Sequence, residues 1–332
     1  MARSTKWLVG LVILVALLAR AISATIGWRP FIGPKARALT DRRFESTPTR
    51  LVRGKYLAES VNGCVYCHAE LDWKAPGFPV KAGTEGSGRS WADEGLPWLT
   101  ASNISSDPET GGGRWSDDAY ARAIREGIGH DGRTLFPLMP YLNYRTMSDE
   151  DLASVIVYIR SLPPVRKALP PTRMPFPLNR LVNAAPRPLH APVPEPDPAR
   201  RGEYLVTQSA CADCHTPQAQ GKPIPGLEFA GGFVFTGPYG QVTSTNLTPD
   251  ATGIAYYDEA LFLEVMRTGQ AKARKIHDQM PWVFYRGQTD EDLRAMFAHL
   301  QTLAPARHTV DNSLPPTACV RCGQTHGDGE RN

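Results

Sequence analysis

The chain has 332 residues, of which 42% are hydrophobic and 21% are charged, and its formal net charge is +4. Leucine, valine and isoleucine occur along its length, so it can bury sizeable cores and is expected to form two domains; this composition excludes a disordered chain. Part of the small positive charge lies near the start of the chain, which gives no indication of a nucleic-acid partner.

Residues 1–30 form a candidate membrane segment. Arg3 and Lys6 precede the apolar run WLVGLVILVALL. From Trp7 to Trp28 a helix would extend about 33 Å, enough to cross a hydrocarbon core about 30 Å thick. The small-residue sequence ARA that follows the run supports the alternative of a cleaved signal peptide. We favour an N-terminal transmembrane helix, because both tryptophans occupy positions typical of interfacial aromatics, and either interpretation exports the rest of the chain.

The next motif is NGCVYCHAE, in which Cys64 and Cys67 are followed directly by His68. In an oxidising compartment six cysteines would ordinarily indicate disulfides. C-x-x-C-H is instead the attachment signature of c-type haem. On a short helical turn the two thiols face one side and can form thioethers to the haem, and the histidine can then ligate the iron. A redox dithiol or half of a zinc site are the competing interpretations.

The first domain is expected over residues 48–163 and is predicted to be helical. Capping residues indicate three helix starts, at Thr47, Ser116 and Ser148. Ser148 with Asp151 is the pattern of a capping box. Two prolines then end the last helix of this domain, because proline has no N–H to donate.

A sixth ligand to the iron is expected from the sequence MPY that begins at Met139, 71 residues after His68. A thioether there raises the haem potential and closes the iron to small ligands, which favours electron transfer. The competing interpretation of a methionine is core packing. His130 and Met147 are rival ligands, but neither has a counterpart later in the chain.

Residues 164–197 are predicted to be a linker. The stretch from 163 to 198 contains 12 prolines in 36 positions, so it cannot hold a regular helix and should run extended. It marks the domain boundary. The sequence leaves open whether it is a solvated spacer or wraps over both domains.

Residues 198–305 repeat the first domain. The sequence RGEYLVTQSACADCH corresponds to RGKYLAESVNGCVYCH in the first domain, and TDEDLRAMFAHLQTL corresponds to SDEDLASVIVYIRSL. The offset between copies drifts only from 148 at the arginines to 141 at the methionines, so the halves are duplicates with small deletions. The equivalent haem-site residues in this copy are Cys211, Cys214, His215 and Met280, and the rival ligands are Met266 and His277.

Residues 306–332 contain a third cysteine pair without the following histidine. The sequence reads CVRCGQTH, with Gly323 where the haem-binding histidine would stand. It is open to interpretation as a remnant, as a disulfide between Cys319 and Cys322, or as part of a metal site with His326. We favour a flexible tail, because its composition is polar and rich in glycine.

The stretch TASNISSDPETGGGRWSDDAYARAIREGIGHDGRTLFPLMPYLNYRTMSDEDL resembles the cytochrome c subunits of membrane-bound quinohaemoprotein alcohol dehydrogenases and of flavin-dependent gluconate and sorbitol dehydrogenases. The resemblance covers residues 50 to 305. It implies an all-α fold with two tandem cytochrome c domains after the transmembrane helix. It also implies two covalently attached haem c groups, one held by Cys64, Cys67, His68 and Met139 and the other by Cys211, Cys214, His215 and Met280. Asn103 and Asn246 would fix a loop over each haem edge. The family usually carries three haems, and this chain has two complete motifs.

The function expected from these motifs is electron transfer by a di-haem c-type cytochrome that is not itself an enzyme. It would carry electrons from a membrane or periplasmic dehydrogenase towards quinone or an oxidase of the respiratory chain, anchored in the bacterial inner membrane with its haem domains in the periplasm. The alternatives are a di-haem peroxidase, which needs one iron with an open sixth position, and a zinc-binding module. The paired Met-Pro sequences argue against both the peroxidase and the zinc-binding module.

Overall fold

A computed structural model describes residues 2–25, 28, 36–176, 178–181 and 192–327. Parts of the expected anchor, linker and tail therefore lie outside the described residues. The helices are α1 (Ala2–Ala24), α2 (Pro48–Tyr56), α3 (Cys64–Cys67), α4 (Asp117–Glu126), α5 (Tyr141–Tyr144), α6 (Asp149–Ser161), α7 (Leu178–Leu181), α8 (Arg201–Gln208), α9 (Cys211–His215), α10 (Glu259–Thr268), α11 (Trp282–Tyr285) and α12 (Asp290–Gln301). A π-helical turn, Leu57–Val61, continues α2, and 3₁₀ turns cover Ala92–Glu94 and Pro198–Arg200.

Short antiparallel strand pairs accompany the helices, which make up 37% of the chain. The pairs are β1 (Arg89–Trp91) with β2 (Leu96–Ala101), β3 (Gln218–Ala219) with β4 (Lys222–Pro223), β5 (Val234–Gly237) with β6 (Gly240–Thr243), and β7 (Gln270–Ala271) with β8 (Arg274–Lys275). The fold is therefore not plainly all-α, because short strand pairs accompany the expected helices. In the β5–β6 hairpin, Gly237 pairs with Gly240, so a two-residue turn joins strands rich in β-branched and aromatic residues.

The same helix crossing forms the centre of each half of the chain. α2 packs across α6, and a Cβ added to Gly54 would lie 2.0 Å from the carbonyl oxygen of Ser154. In the second half α8 packs across α12, and a Cβ on Gly202 would lie 2.0 Å from the carbonyl oxygen of Ala295. Glycine therefore lets the two backbones approach closely in both copies.

The predicted helix starts are confirmed. The side chains of Thr47, Ser116 and Ser148 each accept a hydrogen bond from the backbone N–H three residues later, at 3.2 Å. The capping box was only half right. The Asp151 carboxylate does not return to the Ser148 N–H, but pairs with Arg53 at 2.7 Å and accepts from the Tyr204 hydroxyl at 2.8 Å.

Reciprocal tyrosines join the two halves. The hydroxyl of Tyr204, in the second half, accepts from Ser148 N at 3.1 Å and donates to Asp151. Tyr56 in the first half does the same at α12, accepting from Thr289 N at 3.2 Å and donating to Asp292. Each tyrosine thus completes the helix N-terminus of the other half, and one continuous hydrophobic core spans both.

The described parts of the linker lie against the first half. Arg173 N donates to the Trp98 carbonyl at 2.8 Å, and Asp149 N donates to the Val193 carbonyl at 3.2 Å. These contacts fit a segment that wraps over the domain rather than a solvated spacer.

The tail packs against the second half as far as it is described, so the expected flexible tail is corrected for residues 306–327. Cys319 and Cys322 are buried in a small cluster with Leu227, Ala230 and Ala306. The polar composition of the tail predicted flexibility wrongly, because histidine and cysteine side chains, rather than a long apolar run, fill the interior of this small cluster.

The N-terminal helix α1 exposes its apolar side chains. Within the described residues, Thr5–Ala24 is long and apolar enough to cross a membrane, a criterion that an N-terminal signal sequence also meets. Further along, Arg37 pairs with Asp118 at 2.6 Å and with Glu126 at 2.8 Å, which fixes the segment after residue 36 to α4.

Candidate haem-binding sites

The two C-x-x-C-H motifs lie on equivalent short helical turns, α3 and α9. Each turn begins after a residue in the left-handed conformation, Gly63 with φ 63° and Ala210 with φ 54°. Burial raises the pKa of Cys64 and Cys211 to about 12, so these thiols are uncharged. An apolar setting with paired sulfurs on one turn suits thioether attachment of a haem.

The ring of each motif histidine is held from behind by a backbone carbonyl. His68 Nδ1–H donates to the Ser102 carbonyl at 2.7 Å, and His215 Nδ1–H donates to the Thr245 carbonyl at 2.7 Å. This bond fixes the tautomer and leaves Nε2 as the ligand atom. Burial lowers the pKa of both imidazoles, which favours the neutral form that binds iron.

The sequence motifs did not identify these two carbonyl groups, although a repeated asparagine lies next to each of them in the chain. Ser102 and Thr245 immediately precede Asn103 and Asn246, the asparagines of SNIS and TNLT. Asn103 Oδ1 accepts from Ser105 N at 3.0 Å, and its Nδ2 donates to the Val165 carbonyl at 2.8 Å.

The second copy builds the same network. Asn246 Oδ1 accepts from Thr248 N at 2.8 Å, and Nδ2 donates to the Ala306 carbonyl at 2.7 Å. The expected bonds from side chain to backbone are thus present in both copies. They hold the loop whose carbonyl orients the motif histidine.

An apolar cavity brings the first set of predicted residues together. Cys64, Cys67, His68 and Met139 all line it. The walls are mainly apolar and aromatic, with Trp115 among them. Two thiols, an imidazole with its Nε2 available and a thioether around one apolar cavity are the donor set of haem c, so the residues fit this group.

Met139 and Met280 lie in identical turns. Met139 N donates to the Phe136 carbonyl at 3.1 Å and Met280 N to the His277 carbonyl at 3.0 Å. Both side chains are half-buried and, like Cys64 and Cys211, pack against the shared hydrophobic core. The equivalence extends the ligand prediction to the second copy.

The aromatic residue after each Met-Pro pair packs against a glycine that ends a helix. Tyr141 packs against Gly127, and Trp282 against Gly269, where an added Cβ would lie 2.7 Å from the ring in each case. Both glycines end a helix with a φ near 70°. The aromatics therefore lock the methionine loop onto α4 or α10.

The rival ligands are placed elsewhere, with one exception. Met147 and Met266 are 1% and 4% exposed inside the hydrophobic core, and His277 is an exposed residue whose ring meets Tyr239. His130 does line the first cavity, but its ring stacks on Trp115 at 4.1 Å.

Arg133 is a further cavity residue that the motifs did not indicate. Its guanidinium donates to the Ser102 hydroxyl at 3.3 Å, beside the carbonyl that holds His68. Only the fold brings it there, because it lies 65 residues from that histidine in the chain.

Each attachment turn contacts the other half of the chain. Tyr66, inside the first C-x-x-C, packs against Phe284 with ring centroids 5.2 Å apart. Asp213, at the equivalent place in the second motif, accepts from Asn143 Nδ2 at 2.9 Å. Both sites therefore lie close to the same contact surface.

Comparison with known proteins identifies related sequences. The cytochrome c family profile matches residues 199–304. The chain is 34% identical over 227 residues to one of the subunits of nicotinate dehydrogenase of Pseudomonas putida, covering 65% of this chain and 18% of that protein. It is 28% identical over 269 residues to the cytochrome c subunit of the quinone alcohol dehydrogenase of Gluconobacter oxydans, covering 76% of this chain and 54% of that protein.

A third relative is matched over most of its length. This is a diheme cytochrome c-type protein of Cereibacter sphaeroides, 31% identical over 256 residues, with 72% of this chain and 81% of that protein covered. The first two relatives are matched over little more than half of their length or less. The family signature in the second half, the repeated motifs and the extended match to a diheme cytochrome place this chain in the family of c-type cytochromes.

Proposed function

We propose that this protein is a di-haem electron carrier with two tandem cytochrome c domains. One haem c would be held by Cys64, Cys67, His68 and Met139, and the other by Cys211, Cys214, His215 and Met280. The observation that carries the proposal is the duplicated histidine geometry, with a 2.7 Å bond from Nδ1 to a loop carbonyl in both halves. Bound haem c supplies a one-electron couple.

The residues of the chain set the conditions for that couple. The carbonyls of Ser102 and Thr245 keep each imidazole oriented and increase its basicity as a ligand. The thioethers of Met139 and Met280 would serve as the second protein ligands of the two irons, which would keep water and substrates away from them. This arrangement supports a carrier rather than a peroxidase, for which one of these positions would have to open.

The interface supports electron exchange between the two sites. Tyr66 and Asp213 belong to the attachment turns and each contacts the other half of the chain. The reciprocal bonds of Tyr56 and Tyr204 hold this interface together. Electrons would thus enter at one haem and leave at the other within one chain.

The names of the relatives suggest the partner. They include cytochrome subunits of quinone alcohol dehydrogenase, gluconate 2-dehydrogenase and fructose dehydrogenase. We therefore place the chain beside a dehydrogenase, passing electrons to quinone or an oxidase. α1 would anchor it in the bacterial inner membrane, with the haem domains in the periplasm.

The intact mass of the membrane-extracted protein tests the haem count and the anchor together. We expect the mass of the full chain plus two haems, with a pyridine haemochrome assay giving two haems per chain. Redox titration should show two one-electron couples, with no peroxide turnover. One or three haems, or peroxidase activity, would contradict the carrier. Loss of the first residues would instead show a cleaved signal.

A further inference from the structure

We infer that His308, Cys319, Cys322 and His326 form a structural zinc site that fastens the C-terminal segment to the second domain. The four ligand atoms all lie within 4.8 Å of one another. All four residues are buried, at 6% exposure or less. The cluster is separate from both candidate haem sites and uses the cysteine pair that the haem motifs leave over.

The distances between ligand atoms match a tetrahedral ion. Cys319 Sγ lies 3.4 Å from His308 Nε2, and Cys322 Sγ lies 3.2 Å from His326 Nε2. Zinc bonds of about 2.3 Å to sulfur and about 2.0 Å to nitrogen give a sulfur to nitrogen edge of about 3.5 Å. The two imidazole planes are nearly perpendicular, at 86°, so both rings can point a nitrogen at one centre.

The backbone around the cysteines forms a tight turn suited to this purpose. Ala318 and Thr325 are bridged, Cys319 N donates to the Gln324 carbonyl at 2.8 Å, and Arg321 N donates to Cys319 Sγ at 3.3 Å. Gly323, which stands where a haem motif has histidine, has a φ of 71°. Glycine closes the turn in this left-handed conformation, and both sulfurs then face inward.

His308 comes from the segment that leaves α12, and its ring is held in place like that of a metal ligand. Its Nδ1–H donates to the Ala230 carbonyl at 2.9 Å, which leaves Nε2 towards the cysteines. A Cβ on Gly232 would lie 2.5 Å from its Cε1 atom, so the ring needs a glycine beside it.

The first domain provides an internal comparison. The segment that leaves α6 follows the same path, and Lys167 there donates from Nζ to the Gly88 carbonyl at 2.8 Å. In the second domain His308 takes the place of Lys167, donates from Nδ1 to the nearby Ala230 carbonyl and retains a second ring nitrogen for an ion. The metal site thus extends a contact that the duplicated fold already contains.

The chemistry of the donors favours zinc. Two thiolates with two imidazoles are typical of closed, four-coordinate structural zinc sites. Binding releases the two thiol protons to solvent, and the two thiolate charges then balance the ion inside the protein. The ion would hold the tail against residues 227–232, next to the Gly231 N–H that donates to the His215 carbonyl at 2.7 Å.

Metal analysis of the haem-loaded full chain, purified without a polyhistidine tag, tests the inference. We expect one zinc per chain, with X-ray absorption at the zinc edge showing two sulfurs at about 2.3 Å and two nitrogens at about 2.0 Å. Cys319→Ser with Cys322→Ser should lose the zinc, whereas His326→Cys, which keeps four ligands, should retain it. His299→Gln, a half-buried histidine of α12, is the matched control and should also retain it.

Two results would overturn the site. One is wild-type protein without zinc in which alkylation under denaturing conditions shows a disulfide between Cys319 and Cys322. The other is bound zinc that stays at one per chain after both cysteines are replaced. Because the readout is zinc per chain rather than iron, an unexpected haem count would refute the proposed carrier and leave this test intact.

Discussion

Position in the repeat separates the methionines that we propose as iron ligands from those that pack in the core. Met139 and Met280 are half-buried in matching loops, while Met147 and Met266 are enclosed in the hydrophobic core. The locked aromatic that follows each Met-Pro pair gives its loop little freedom. A weak thioether ligand benefits from this restriction, because the conformational entropy of the methionine loop is already lost when the chain folds.

Replacing either loop methionine should therefore change one haem and leave the other unchanged. Met139→Ala should lower the potential of the first haem by on the order of 0.1 V, within the range of about 0.8 V that axial ligands span. It should also let carbon monoxide bind the reduced iron. Met280→Ala should have the same effect on the second haem. Spectroelectrochemical titration and carbon monoxide difference spectra measure both effects.

Core methionines provide the control for these variants. Met147→Leu and Met266→Leu preserve volume and should leave both potentials unchanged, at a cost of less than about 1.5 kcal/mol in stability. Carbon monoxide binding to the reduced wild-type protein would argue against methionine ligation and would favour the peroxidase.

At the level of the elements, each half of the chain has a glycine where two helices cross. Gly54 faces the backbone of α6 and Gly202 that of α12, with no room for a Cβ. The sequence showed these glycines within RGKY and RGEY, but their role follows only from the crossing. Backbone atoms cannot move aside as flexible side chains can, so the helices would have to separate.

Gly54→Ala and Gly202→Ala should each destabilise the protein by about 1–3 kcal/mol, the usual cost of overpacking. Guanidinium unfolding of the haem-loaded protein, followed by the Soret band, measures this. The exposed neighbours offer matched controls, since Lys55→Ala and Glu203→Ala should change stability by less than about 0.5 kcal/mol. Equal stability of the glycine variants and these controls would disprove the close crossing.

At the scale of the whole molecule, the two halves are joined by contacts that occur twice. Tyr56 and Tyr204 each satisfy an N–H at the start of a helix in the other half and donate to a buried carboxylate. Burial, with a further contribution from the bond to Asp292, raises the pKa of Tyr56 to about 12, so the phenol remains a donor at physiological pH. Arg201 and Arg53 balance the two carboxylates.

Removing one tyrosine hydroxyl should weaken the interface between the two halves without disturbing either candidate haem site. Tyr56→Phe and Tyr204→Phe leave a helix N–H without its acceptor, and each should cost about 1–3 kcal/mol in guanidinium unfolding. Tyr256→Phe, at a ring that is 53% exposed, should have little effect. If the interface variants matched this control while the haem spectra stayed normal, the reciprocal bonds would not hold the halves together.

Short local patterns in the sequence were sufficient to predict much of the candidate site. The C-x-x-C-H turns, the Met-Pro loops and the helix caps depend on neighbours within a few residues, so the structure shows them where the sequence placed them. The strand pairs were missed because each is only a few residues long and follows turn geometry more than a long alternating pattern.

Contacts distant in the chain were decided by the tertiary structure alone. The carbonyls of Ser102 and Thr245, which hold the motif histidines, have no side-chain pattern that would reveal them in the sequence. The Asp151 carboxylate does not complete the predicted capping box, because it binds Tyr204 from the other half of the chain. The tail differs from its predicted flexibility for the same reason. Its own composition is polar, and only packing on the second domain brings His308 to the cysteines and buries them together.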